Sequence, residues 1–280
     1  MEFPQIDPIA FSIGPVAIRW YALAYLAAFL VGWRVARRLA TAQGLGIKPV
    51  LLDDLLTWMI LGVVLGGRLG YVLFYNPGYY LDNPAEIIAI WTGGMSFHGG
   101  MLGAIAAIFG FAWRNNLPLL STADVVAVVT PIGLFFGRLA NFINGELWGR
   151  VTEAPWGIVF PGGGPLPRHP SQLYQAAGEG LILFAILLLI WRIPANRRRP
   201  GLCGGVFVAG YGIARFAAEF VREPDAHLGT VFMGLTMGQL LSVPMVVVGA
   251  AFALRALRNP PLDTVKPEPA KAANPDGEAA

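Results

Sequence analysis

The sequence predicts an all-α, polytopic membrane protein of about seven transmembrane helices, with its N-terminus outside and its C-terminus cytoplasmic. Three observations carry this reading. First, 55% of the 280 residues are hydrophobic and only 13% are charged, with a mean hydropathy of +0.58. A soluble domain of this size needs roughly 25% charged residues to cover its surface, so lipid must cover much of this one. Second, seven stretches approach the ~20 apolar residues that cross a bilayer at ~1.5 Å per residue. Third, Lys and Arg collect on alternate loops. With the N-terminus outside, the inner segments hold Arg34, Arg37, Arg38, Lys48, Arg114, Arg192, Arg197, Arg198, Arg199, Arg255, Arg258, Lys266 and Lys271, as the positive-inside rule expects.

The elements follow in order. The start, Met1-Glu2-Phe3-Pro4, has neither the basic region nor the small-residue cleavage site of a signal peptide. The first apolar run, about residues 16–38, is therefore expected to be retained. The second covers about 50–75; Asp53 and Asp54 in its first turn fit a helix start. The third, about 98–113, is short, and a tilted or partly re-entrant segment fits that length. The fourth (about 121–140) runs directly into a polar string, and the fifth, sixth and seventh cover about 172–192, 202–220 and 236–257. Residues 1–258 form one membrane domain. The Pro-, Ala-, Lys- and Glu-rich stretch 259–280 cannot bury a core and is expected to be a disordered cytoplasmic tail. A single cysteine, Cys203, excludes an internal disulfide framework and a Cys-rich metal site, and is expected to be a packing residue.

Seven basic residues depart from the inner side: Arg19, Arg68, Arg138, Arg150, Arg168, Arg215 and Arg222. All are arginines. An arginine near a helix centre costs about 2.5–3.5 kcal/mol on the insertion scale. Several in one bundle point to a polar cavity open to the non-cytoplasmic side. Some can pair with Glu to fix packing. As a set they suit an anionic group, because guanidinium is always charged and grips phosphate bidentately. In the sixth span, Tyr211, Arg215, Glu219 and Arg222 recur every three or four residues and form one stripe. There Glu219 is explained equally by an ion pair or by chemistry. At the end of the fourth span, Arg138 and Asn141 lie one turn apart, followed by Glu146 and by turn-permitting Gly145 and Gly149. The run Gly93-Gly94-Met95-Ser96-Phe97-His98-Gly99-Gly100 puts His98 at a helix N-terminus, where backbone N–H groups favour anions. No Walker loop, Rossmann fingerprint, nucleophile elbow or zinc helix motif is present.

The stretch from Gly137 to Arg150, Gly-Arg-Leu-Ala-Asn-Phe-Ile-Asn-Gly-Glu-Leu-Trp-Gly-Arg, closely resembles the signature of the bacterial prolipoprotein diacylglyceryl transferases. Agreement continues through Ile13-Gly14-Pro15 with Arg19-Trp20-Tyr21, Gly66-Gly67-Arg68-Leu69-Gly70-Tyr71, the glycine run around His98, and Arg168-His169-Pro170-Ser171-Gln172. It extends through Tyr211-Gly212, Arg215, Glu219-Phe220 and Met237-Gly238-Gln239, leaving only the tail uncovered. Ala140 stands where the family more often has Gly, and the outer segment 151–167 is compact.

The resemblance implies a transferase of the bacterial inner membrane with its active site on the periplasmic side. It moves the diacylglyceryl group of phosphatidylglycerol to the lipobox cysteine of a preprolipoprotein, forming a thioether and releasing glycerol phosphate. Neither a metal, an organic cofactor nor a nucleic-acid partner is expected. The residues carried over as catalytic are His98, as candidate base toward the thiol or as a residue that orients the headgroup, with Arg138, Arg215 and Glu219. Those carried over as substrate-binding are Tyr21, Arg68, Asn141, Glu146, Gly149, Tyr211 and Arg222. An anion or lipid transporter would also use internal arginines, but it usually repeats one half of its sequence, and the halves here do not match.

Overall fold

The computed structural model describes residues 1–4, 6–14, 16–43, 47–223, 230–232 and 234–263. His227, and the expected tail from residue 264 onward, lie outside the described residues. A short antiparallel hairpin, β1 (Ile9–Ile13) with β2 (Val16–Arg19), leads into α1 (Trp20–Gln43). Then follow α2 (Leu51–Phe74), the short α3 (Pro77–Asp82), α4 (Phe97–Arg114) and α5 (Leu119–Ile143). After a polar, mostly irregular stretch, α6 (Ser171–Gln175) continues through a π-helical turn (Ala176–Ile182) into α7 (Leu183–Arg192). The chain ends with α8 (Leu202–Ala218), the strands β3 (Thr230–Phe232) and β4 (Leu235–Thr236), and α9 (Met237–Arg258).

Every apolar run of the sequence thus coincides with a helix. Four of them, α2, α5, the run Ser171–Arg192 and α9, are long and apolar enough to cross a membrane; α8 is apolar but shorter at 17 residues. The third run is a regular 18-residue helix, α4, with Ser96 as its N-cap. Large apolar side chains such as Leu30, Leu61, Leu65, Phe109, Val247 and Leu254 stand exposed along the bundle, the outward face lipid would cover.

Helix pairing rests on small residues. In α2, Gly62, Gly66 and Gly70 recur every four residues and meet Gly99 and Gly103 of α4 with backbone against backbone. A Cβ on Gly70 would lie 2.8 Å from the Cα of Gly99, and one on Gly103 would collide with the carbonyl of Gly62. Such spacing lets two helices approach until dispersion and Cα–H contacts hold them in a medium where hydrophobicity drives nothing. The α8–α9 pair repeats the device, with Gly205 against Ala253 and Gly249 against Ala209.

The apolar core occupies the half of the bundle nearest the basic loops. Leu39 and Ala40 of α1, Phe111 of α4, Val125 and Val128 of α5, Leu187 and Trp191 of α7 and Cys203 of α8 meet there. Cys203 is a packing residue, as expected. Side chains tie the helix ends together on this side. Asp53 accepts from Trp33 Nε1 (2.7 Å) and from Arg37 Nη1 (3.2 Å), so it joins α2 to α1 beyond serving its own helix start. Arg199 Nη1 donates to the carbonyl of Leu257 (2.6 Å) and closes the end of α9, while Leu262 N donates to Arg198 O (2.8 Å).

Asp124, buried in α5, accepts from the backbone N–H groups of Gly201 and Gly204, each at 2.7 Å. It caps the start of α8 from a neighbouring helix. Replacing it with alanine removes that cap and strands buried donors, and is expected to cost about 1–3 kcal/mol. Thermal unfolding of the detergent-solubilised protein measures this; D124N, which keeps one acceptor oxygen, should fall between.

Candidate active site

At the opposite end, polar groups replace the apolar core. Arg138, in the last two turns of α5, meets Glu179 of the π-helical turn: Oε2 accepts from Nε at 3.3 Å and from Nη2 at 3.2 Å. Glu179 is fully buried and Arg138 only slightly exposed. Tyr211 of α8 lies in the fields of Glu179, Arg138 and Arg215. One turn on, Arg215 Nη2 pairs with Glu219 Oε1 at 2.5 Å, and Arg222 Nη1 reaches the same oxygen at 3.3 Å. The other oxygen of Glu219 accepts from the Thr236 hydroxyl at 2.6 Å. That hydroxyl also accepts from Gln239 N within a capping box that opens α9. Gly238 leaves room for the Glu219 carboxyl, since a Cβ there would stand 2.7 Å from its Cδ.

The stripe on the sixth span therefore holds together as read from the sequence. Both oxygens of Glu219 are engaged, which ties this carboxylate to fixing Arg215, Arg222 and the start of α9. Three guanidiniums face two carboxylates in these ion pairs among the described residues. Glu179 and Glu219 are buried, so each interaction counts for more than it would at a surface.

The polar string after α5 forms the adjoining wall. Asn141 Nδ2 donates to Glu146 Oε1 at 2.9 Å, and Asn144 donates to the same oxygen at 3.2 Å. Gln172 and Ser171 at the start of α6 donate to the carbonyls of Glu146 (2.6 Å) and Leu147 (2.9 Å). Gly145 adopts φ +64°, the left-handed turn that brings the string back. Gly149 is a close-approach residue: a Cβ there would collide with the carbonyl of Val221 and come within 2.7 Å of His169. Its N–H donates to His169 O at 2.8 Å, and Arg150 N donates to Val221 O at 2.8 Å. Gly149 therefore stitches the wall to the end of the arginine stripe. Tyr21, at the start of α1, lies in the fields of Glu146 and Arg138, its hydroxyl 3.4 Å from that of Tyr25.

Two residues from the sequence reading stand apart from this constellation. Arg68 is buried and donates to four backbone carbonyls: Glu86 (2.6 Å), Ile87 (2.8 Å), Gly93 (2.5 Å) and Gly94 (3.1 Å). Its guanidinium also lies over the Tyr80 ring. It is engaged in holding the connection between α2 and α4. His98 sits in the first turn of α4, exposed, edge-on to Phe97; neither of its nitrogens hydrogen-bonds among the described residues. Arg68 thus shapes the connection leading into the helix that carries His98.

Sequence reasoning missed Glu179 and Thr236. The first had a signal: a lone carboxylate in an apolar span is expensive unless paired, and marks function by default. Thr236 had none, because a threonine beside a helix start is ordinary.

Comparison with known proteins agrees with this geometry. The family model described as prolipoprotein diacylglyceryl transferase matches residues 8–255. A phosphatidylglycerol–prolipoprotein diacylglyceryl transferase of Paramagnetospirillum magneticum is 57% identical over 92% of this chain and 96% of its own. Proteins of the same name from Nitrobacter winogradskyi (54% identity, 91% of this chain and 90% of the relative) and Azospirillum brasilense (54%, 93% and 98%) are similar throughout. With the match running from the hairpin to the last turn of α9, the chain belongs to the prolipoprotein diacylglyceryl transferase family.

Proposed function

We propose that this protein transfers the diacylglyceryl group of phosphatidylglycerol to the cysteine thiol of a prolipoprotein lipobox, the first step of bacterial lipoprotein maturation. The observation that carries the reading is the pair of arginines on different helices, Arg138 and Arg215, each held by a buried carboxylate at one end of an apolar bundle. The names of the relatives, which specify phosphatidylglycerol and a prolipoprotein, agree with it.

In this reaction the sulfur attacks the glyceryl carbon that bears the phosphate. The S–C bond forms, the C–O bond breaks, and the electron pair leaves on glycerol phosphate. The leaving group goes from one negative charge to nearly two. Arg138 and Arg215 meet that growing charge with donors already in place, so little reorganisation accompanies bond breaking. Tyr211 and Tyr21 hydrogen-bond the headgroup, with Arg222 as a further contact. Asn141, Glu146, Gly149 and Glu219 position these donors. A thiol with a pKa of about 8.5 needs a base or a positive field, and His98, with unengaged nitrogens, takes its proton. Arg68 acts indirectly, by holding the loop before α4. No metal or organic cofactor takes part. The seven apolar runs span the inner membrane of the cell, the hairpin end faces the periplasm, and both substrates arrive within the bilayer.

The test is direct. Purified protein is incubated with phosphatidylglycerol and a lipobox peptide in its Cys and Ser forms, and products are weighed by mass spectrometry. A diacylglyceryl mass on the Cys peptide alone is the expected result. Addition to the Ser form as well would point to a hydroxyl acceptor, and no addition from folded, lipid-binding protein would refute the transferase reading.

A further inference from the structure

Glu179 lies in Ala176-Ala177-Gly178-Glu179-Gly180, the one acidic residue of the run Ser171–Arg192. Its surroundings are built with care. The helix widens to a π turn over Ala176–Ile182, a local distortion frequent at functional sites. Gly180 lets that turn close on α5, since a Cβ would come within 2.7 Å of the Phe135 Cβ and 2.9 Å of its Cα. Gly178 faces α8, where an added Cβ would stand 3.6 Å from that of Ala214. The turn is thus wedged between the two helices that carry Arg138 and Arg215.

The two carboxylates of the site are not equivalent. Glu219 has both oxygens engaged, by Arg215, Arg222 and Thr236. Glu179 holds the Nε–Nη2 edge of Arg138 with Oε2 alone, and its buried Oε1 has no partner among the described residues. Across the site, buried Arg215 Nη1 likewise lacks one. A site made only for packing would satisfy these atoms, because an orphaned buried polar group is destabilising. Unmatched acceptor and donor atoms on opposite sides of one cluster suit a site whose polar inventory is completed by a ligand.

We infer that Glu179 is a positioning residue for the reaction: it clamps one edge of Arg138 against the π turn and acts as the counter-ion that an incoming phosphate must share. This rests on the assignment of Arg138 and Arg215 as the phosphate grip. Two consequences follow. The clamp holds the guanidinium in register with the scissile bond. The counter-charge keeps anion affinity moderate, so that the more highly charged product is released.

The experiment uses the full chain in phosphatidylglycerol-containing mixed micelles and compares E179Q and E179D with the parent. It reads folded fraction by thermal unfolding, kcat and KM per folded molecule, and inhibition by free glycerol phosphate. E179Q keeps the shape but removes the charge. Its kcat is expected to fall about tenfold or more, while glycerol phosphate binds about three- to tenfold tighter. E179D keeps the charge but shortens the reach, so kcat falls with inhibition unchanged. A merely structural role would lower the unfolding temperature and leave the per-molecule constants and the inhibition alone. Wild-type constants in folded E179Q, or failure of both variants to fold, would overturn the inference. R138A separates the layers: inactive R138A beside a normal E179Q removes Glu179 alone, whereas fully active R138A removes the phosphate grip and Glu179 with it.

Discussion

Arg138→Ala and Arg215→Ala are each expected to lower transfer to the lipobox peptide by at least about 100-fold in kcat, the scale of losing one preorganised donor to a developing anion. The loss has two sources. The phosphate sheds a charged donor, and the carboxylate left behind becomes an uncompensated buried charge. For Arg138 that carboxylate is Glu179, fully buried; for Arg215 it is Glu219, which keeps Arg222 and Thr236. Removing one partner of a buried pair costs about 3–5 kcal/mol. R138A should therefore also lower the unfolding temperature, and R215A much less so. Lysine at either position restores charge without the planar fork, so R138K and R215K should recover stability before activity. Steady-state kinetics beside thermal unfolding on the same preparations separates these effects. Equal losses of stability in the two alanine variants would contradict the stated difference between the carboxylates.

The second large effect lies far from any charge. Gly103→Leu places a side chain where the carbonyl of Gly62 stands, with the Cα of Gly66 only 3.1 Å from the first added carbon. Neither neighbour is a side chain that can turn aside, so α2 and α4 must separate along their whole seam. Overpacking usually costs about 1–3 kcal/mol where side chains can yield; here the loss should reach or exceed that upper value. The measurable outcome is a sharp fall in folded yield and in unfolding temperature. Gly137→Ala is the matched control, because a Cβ there meets nothing within 4 Å. If both substitutions behaved alike, the glycine seam would not be what joins these helices.

Much of this architecture could be read from sequence because the relevant signals are local. Apolar runs announce their helices, and Tyr211, Arg215, Glu219 and Arg222 share a face by periodicity alone. The Arg215–Glu219 pair, four residues apart on one helix, was visible for the same reason. The Arg138–Glu179 pair spans 41 residues and two helices, and nothing in either neighbourhood names the other. The π turn that aims Glu179 is equally silent, since it depends on one extra residue per turn and not on a composition. Arg68 shows the converse: an arginine in a conspicuous glycine-rich motif suggests a headgroup contact, yet its donors meet carbonyls from a connection about twenty residues downstream. Asp53 fits its own helix start by position, and its contacts to Trp33 and Arg37 also join two helices.

The cap that Asp124 provides has a mechanical consequence. It joins the starts of α5 and α8, and those two helices carry Arg138 and Arg215 at their far ends. From that shared anchor the arginines stand about 21 Å and 17 Å along their axes, like the tips of a pair of dividers hinged at one carboxylate. A relative tilt of only about 5° would open or close the gap between the tips by about 2 Å over that length. Pro131, within α5 between hinge and tip, removes one rung of the helix's hydrogen-bond ladder and gives that arm a place to flex. The spacing of Arg138 and Arg215 is thereby set in part at the opposite end of the bundle.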